Sequence, residues 1–234
     1  LTNFEKETHL RFATMDLVRG EWRTYTKDLY TPDKPPVSTA ALDVQAVNIE
    51  ENSDKTPVNY ILPPGITRET DPGQPQLLQQ NEQSMLMRVY DLSPGDARAV
   101  YKTTSYDMRQ YKRMQLFVHA EQFIEDPQNL RDNDLSIFVR IGSDMVNNYY
   151  EYEVPLRLTP HGTYTSGKLS DREIVWFPEN MIDFGFETLT GAKLERNKAR
   201  GRDASVTNMT PFYVFDPAKP KNRITVVGNP TIAE

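Results

Sequence analysis

Three stretches of strict period-two alternation constrain this chain most. Met114, Leu116, Val118 and Ala120 alternate with Gln115, Phe117, His119 and Glu121. Leu135, Ile137, Val139 and Ile141 alternate with Ser136, Phe138, Arg140 and Gly142. Tyr150, Tyr152, Val154, Leu156 and Leu158 alternate with Glu151, Glu153, Pro155, Arg157 and Thr159. Side chains of a strand point to opposite faces in turn, so this pattern predicts antiparallel strands with one buried and one wet face. On this reading Glu151, Glu153 and Arg157 lie on the polar face. Weaker strand signals fall near 8–17, 20–26, 43–49, 84–91, 97–103, 172–177, 210–215 and 223–228. Turn residues separate them. The expected fold is all-β and mainly antiparallel, a jelly-roll-like β-sandwich.

One short helix is expected near 179–200. Pro178-Glu179-Asn180 is a start signal, Ile182, Phe186 and Leu189 keep helical spacing, and Gly201 is a natural stop. Gly185 and Gly191 interrupt the pattern, so the ordered helix is expected to begin as late as Phe186. The basic run Lys193, Arg196, Lys198, Arg200 and Arg202 reads as a solvated helix end.

The chain has 234 residues, of which 38% are hydrophobic and 26% charged, enough for a packed core. A net charge of −6 argues against general nucleic-acid binding, which needs clustered Lys and Arg facing phosphate. No apolar run approaches the roughly 20 residues of a spanning helix. Cysteine is absent, which excludes a disulfide framework, a catalytic thiol and a cysteine zinc site. The chain opens on Leu1 rather than Met and reads as an interior piece of a longer protein.

Prolines at Tyr30–Ser38 and a Pro/Gly/Gln-rich stretch at 50–80 divide the chain. Residues 1–52 read as the last strands of a preceding β module, 53–80 as a strap, and 81–234 as the sandwich. Asp43–Ile49 and Arg223–Asn229 echo each other as Val-containing strands followed by an Asn-containing turn.

Candidate chemistry is sparse. His9, His119 and His161 lack ligand spacing, and a surface role is the simpler reading of each. Asp126, Asp132, Asn133, Asp134 and Asp144 form an oxygen-rich pair of loops. Asp132, Asn133, Asp134 and Asp144 are the candidates for a structural calcium ion, although Asx residues also cap ordinary turns. Tyr106, Tyr111, Phe117, Tyr149 and Trp176 could stack sugar rings or simply pack across strands. Among 33 acidic residues a glycosidase-like pair can always be imagined, so it carries no weight. No Gly-x-Ser-x-Gly elbow or phosphate-binding glycine loop occurs.

Longer motifs carry more. They are Met15–Arg23, Val47–Asn52, Asn59–Ile66, Asn81–Ser84, Gly95–Ala99, Leu130–Leu135, Asn148–Glu151, Leu194–Lys198 and Asn222–Glu234. With these runs the chain resembles the SprA (Sov) family of bacterial gliding-motility and type IX secretion proteins. The resemblance implies a very large outer-membrane protein whose complete chain forms a transmembrane β-barrel, the pore for folded cargo. It also implies partners: other segments of the same translocon, a plug protein, a lipid-transport-like barrel protein and secreted cargo. It implies no catalytic residue. Charges on the polar strand faces do not suit the apolar belt of a lipid-facing barrel, which places this chain in an aqueous cap or insertion domain at the cell surface or outer membrane. The expected partner contacts are on the strap, at Pro63, Pro64, Gly65, Arg68, Gln79 and Gln80. Two other readings stay open: a carbohydrate-binding jelly roll attaching the machinery to polysaccharide, and a hydrolase.

Overall fold

The computed structural model describes residues 22–31, 33–68, 82–104, 106–126 and 128–232. The strands are β1 (Arg23–Thr24), β2 (Ala41–Asn48), β3 (Gln83–Tyr90), β4 (Val100–Tyr101), β5 (Arg113–Leu116), β6 (Ser136–Gly142), β7 (Tyr149–Pro155), β8 (Ile182–Gly185), β9 (Phe212–Phe215) and β10 (Arg223–Val227). The helices are α1 (Ile49–Asn52), α2 (Leu169–Val175) and α3 (Phe186–Arg200). Every ladder between these strands is antiparallel. The expected β-rich, antiparallel class is the one observed. Among the described residues no helix is long and apolar enough to cross a membrane.

A four-stranded sheet, ordered β6-β7-β10-β9, forms the centre. Its inner face carries Ile137, Val139 and Ile141 of β6, Tyr150, Tyr152 and Val154 of β7, Ile224 and Val226 of β10, and Val214 of β9. The ribbon β5-β8 and helix α3 lie against this face as a second layer, contributing Met114, Ile182, Phe184, Phe186, Leu189 and Ala192. Tyr152 stacks on Phe184 at 4.5 Å between ring centres, and Phe184 meets Phe186 edge-on at 5.8 Å. Each such fully buried side chain is worth roughly 1.5–3 kcal/mol.

Helix α3 forms because Phe186, Leu189, Ala192 and Arg196 recur on one face and all are buried. Its start is tied by the Phe186 amide donating to the Lys112 carbonyl at 3.2 Å. Gly201 ends it, donating to the Asn197 carbonyl. Pro178–Asn180 makes only a single 3-10 turn, and strand β8 intervenes before α3, so the helix starts at the later of the two expected points.

A second, smaller core joins Val47, Val58, Tyr60, Ile61, Leu62, Val175 and Trp176. Strand β2 pairs with β3 over the whole length of both, and β1 pairs with β4, so the described strands of 1–52 are hydrogen-bonded to strands of 81–234. Segment 116–120 passes between the two cores. Val118 enters the first, while Phe117 and His119 turn to Trp176 of the second. Leu116, expected inside, is 46% exposed.

Two further expectations need correction. Residues 172–177 are not a strand: α2 occupies Leu169–Val175. Helical spacing sets Arg172 and Trp176 side by side, and both reach carbonyls of the strap: Arg172 to Pro63 (3.3 Å) and Ile66 (3.2 Å), Trp176 Nε1 to Ile61 (2.9 Å). Glu151 is not on a wet face either. It is 7% exposed and pairs at 2.6 Å with Arg140, because Leu29, itself buried, crosses that side of the sheet and accepts from Arg140 at 3.0 Å.

Candidate functional site

The proposed contact strap divides at Pro63. Tyr60, Ile61, Leu62 and Pro63 are buried, Gly65–Thr67 are exposed, and Pro64 and Arg68 are half-buried. Pro63 is therefore an internal packing residue rather than a surface contact. Gly65, with φ of +76°, closes the turn in which the Ile66 amide donates to the Pro63 carbonyl. Arg68 pairs with Glu50 in the first turn of α1. Gln79 and Gln80 lie outside the described residues, as does His9.

Asn59 anchors the strap by copying a backbone pairing. Its side-chain oxygen accepts from the Tyr164 amide at 2.7 Å and its nitrogen donates to the Tyr164 carbonyl at 2.9 Å. Asn180 does the same at Arg157, at 2.7 and 2.8 Å, and is fully buried. A side-chain amide in this geometry satisfies a donor and an acceptor that would otherwise be orphaned.

The four proposed ion ligands are not brought together. Asp132 and Asp134 precede β6 and Asp144 follows it, so the length of that strand, roughly 20 Å, separates them. Asp132 accepts from the Leu158 amide (2.9 Å), Asp134 from the Arg131 amide (2.8 Å), and Asp144 from the Val146 and Asn147 amides (2.7 and 2.5 Å). Asn133 takes a left-handed turn conformation with φ of +72°. Asp134 and Asp144 cap turns, while the Asp132 bond ties the loop before β6 to the segment after β7. Among the described residues no three His, Asp or Glu side chains gather where they could hold a metal ion.

The aromatic candidates also divide. Trp176 and Tyr149 are buried, Trp176 at the centre of the second core and Tyr149 under the Arg140 guanidinium, 3.9 Å from its ring centre. Phe117 packs edge-on to Trp176. Only Tyr106 and Tyr111 are exposed. Tyr111 borders an open depression of about 670 Å³ whose rim includes Arg109, Lys112, Arg113 and Glu187. Two of those cations are already neutralised, Arg109 by Asp107 and Arg113 by Asp183.

Sequence reasoning missed a partly buried polar cluster around Glu121. Glu121 bridges Lys55 and His119, and the His119 Nδ1 lies 2.8 Å from the carbonyl of Val175 at the end of α2. Thr159, 2% exposed, stands 3.1 Å from the same nitrogen. Burial alone would push the Glu121 carboxyl up, but hydrogen bonds from His119 and Lys55 outweigh it and hold the group below its usual value. The cluster sits against Trp176 and ties the loop after α1, segment 117–121 and α2 to one another. The alternation placing His119 and Glu121 on one strand face was a signal for it. Lys55 carried none.

Arg196 is the other surprise. Expected at a solvated helix end, it is 1% exposed beneath α3, donating from Nη1 to the Gly228 carbonyl at 2.6 Å while its Nε has no partner. Desolvation lowers its pKa, as it does that of Lys193, which donates to the Pro230 carbonyl at 2.8 Å.

Among the described residues, several of the longer motifs spend their polar groups within the chain. Asn48 caps α1 through the Glu50 and Glu51 amides, and its side chain in turn donates to Glu51. Arg98 spends its guanidinium on Asp96 and on the carbonyls of Ser38, Ala40 and Ala97, which clasps the entry of β2 to the approach to β4. Asn148 accepts from the Asn229 amide at 2.7 Å, and Asn222 donates to the Tyr152 hydroxyl at 3.0 Å. Tyr152 in turn donates to Asp216, and burial followed by that bond raises its pKa. No curated protein matches the chain. A family model described as motility related/secretion protein, SprA_N, matches residues 1–234, and the chain belongs to that family.

Proposed function

We propose that the chain is a non-enzymatic, water-facing domain of a type IX protein-secretion translocon of the bacterial outer membrane, linked to gliding motility. There it shapes the pore mouth or contacts cargo and partner proteins. Membership of a motility and secretion family supports the setting. The observation that carries the non-enzymatic reading is where the motif residues spend their polar groups: Arg98, Asn48, Asn59, Asp132, Asn148 and Arg196 all hold segments of this domain together. The partners are other segments of the translocon, its plug and barrel proteins, and cargo. On the strap, Pro64, Gly65 and Arg68, with Gln79 and Gln80 beyond, are the contact candidates that remain once Pro63 is placed inside.

The test is Trp176→Ala in the full-length protein, which opens the second core at a cost of about 3–5 kcal/mol. With envelope levels of the full-length protein unchanged, cargo at the cell surface is expected to fall. Normal surface cargo despite a demonstrably loosened domain contradicts the proposal. The carbohydrate-binding alternative rests on exposed Tyr106 and Tyr111. Saturable binding on a glycan array that disappears with Tyr111→Ala would favour it instead.

A further inference from the structure

We infer that strand β9, the end strand of the central sheet with no further strand paired to it among the described residues, is a docking slot for one extended segment of another polypeptide. The assignment follows from hydrogen-bond phase. The Asp216 amide donates to the Asn222 carbonyl at 3.0 Å, in the same register that pairs Val214 with Ile224 and Phe212 with Val226. Bonded and unbonded pairs alternate along an antiparallel ladder. Phe212 and Val214 therefore spend their N–H and C=O groups on β10, while those of Tyr213 and Phe215 point away from it. The other side of the sheet gives the same phase. The Leu156 amide donates to the Leu135 carbonyl, which turns Tyr150 and Tyr152 toward β6 and leaves Ile224 and Val226 to bond β9. Among the described residues no backbone group of Tyr213 or Phe215 has another hydrogen-bond partner.

The two residues that present these free groups are also the two exposed aromatics of the strand. Tyr213 is 59% and Phe215 56% exposed, their rings 6.3 Å apart and edge-on, with Arg223 reaching toward Tyr213. Proteins usually blunt an open edge with Lys, a bulge, a covering loop, Pro or a very short strand, and of these β9 is short and Pro-flanked. Phe212–Phe215 carries no charge and no bulge. Pro211 and Pro217 flank it and limit the slot to a single short pairing.

The geometry selects the occupant. Main-chain donors and acceptors at ladder spacing are matched by an extended peptide, with apolar residues at alternate positions to lie beside Tyr213 and Phe215. A second copy of this chain meeting edge to edge would bury far less than the roughly 1,000 Å² of a stable dimer, because the strand runs only about 13 Å. The slot belongs to a short, transient contact. Its biological setting rests on the secretion reading, but the binding is a property of the isolated chain and is measured there.

The test uses a fluorescein-labelled hexapeptide of alternating Val and Thr with Lys at each end, titrated against the 234-residue chain. Saturable binding is expected, with the Tyr213 and Phe215 amides exchanging quickly in the free chain and protected in the complex. Tyr213→Pro removes only an outward N–H and is tolerated at such a position. It is expected to weaken binding by up to about tenfold, the loss of one backbone bond, with an unchanged melting temperature. Should Tyr213→Pro disturb the fold, Phe215→Lys blunts the edge without touching the backbone, and the same weakening is expected. No binding, binding that both variants leave unchanged, or a dimer in ultracentrifugation that Phe215→Lys dissociates would each overturn the assignment.

Discussion

Arg140 and Glu151 show how far one residue's environment departs from its strand position. Both side chains are more than nine-tenths buried, and Arg140 also holds the Leu29 carbonyl and covers the Tyr149 ring. Removing one partner strands the other charge in a low-dielectric site. Arg140→Ala is therefore expected to lower stability by about 3–5 kcal/mol in urea denaturation, whereas Arg140→Met combined with Glu151→Leu recovers most of it. An unchanged single variant would mean that water reaches the pair. Glu121 gives a pH prediction. Its folded pKa is depressed, so its contribution is present above the ordinary glutamate value of 4.5 and is lost as pH falls through the lower folded value. Glu121→Gln should flatten the acid limb of the stability curve and leave its neutral region less stable, as chemical melts across pH 2–7 would show.

At the scale of elements, α3 offers the cleanest test of local propensity. Gly191 is exposed within the helix, and a Cβ there would meet nothing within 4 Å. Gly191→Ala is expected to raise stability by about 0.5–1 kcal/mol, read as a higher melting temperature. Gly228 is the opposite case: it has φ of +73°, and a Cβ would run into the Asn147 carbonyl. Strands β6, β7 and β10 were legible because their inward positions alternate without a break. Helix α2 was not, because Ile174-Val175-Trp176 reads as β-branched and aromatic while the deciding contacts are carbonyls of Ile61, Pro63 and Ile66, distant in sequence. The same limit applied to the candidate sites. Asp132 and Asp144 flank a strand that the alternation already marked, but which amides their carboxylates accept from, and the burial of Pro63, depend on partners that no local pattern names.

At the scale of the molecule, the described residues pack into two cores held by clasps: a sheet backed by α3 and the β5-β8 ribbon, and a smaller cluster in which the start of the strap packs on Trp176. Lys55, Glu121 and His119 stand where the two meet. The proposed function takes the surface built on these cores to be turned toward other polypeptides. Photo-crosslinking in cells reads this directly, with a benzophenone side chain placed in the full-length protein at Tyr106, Leu194 or Tyr213, each exposed. The account predicts adducts to polypeptides of the export machinery or to cargo from at least one of these positions, lost when cargo synthesis or partner proteins are removed. Adducts only to polysaccharide or lipid, with no polypeptide from any position, would contradict it.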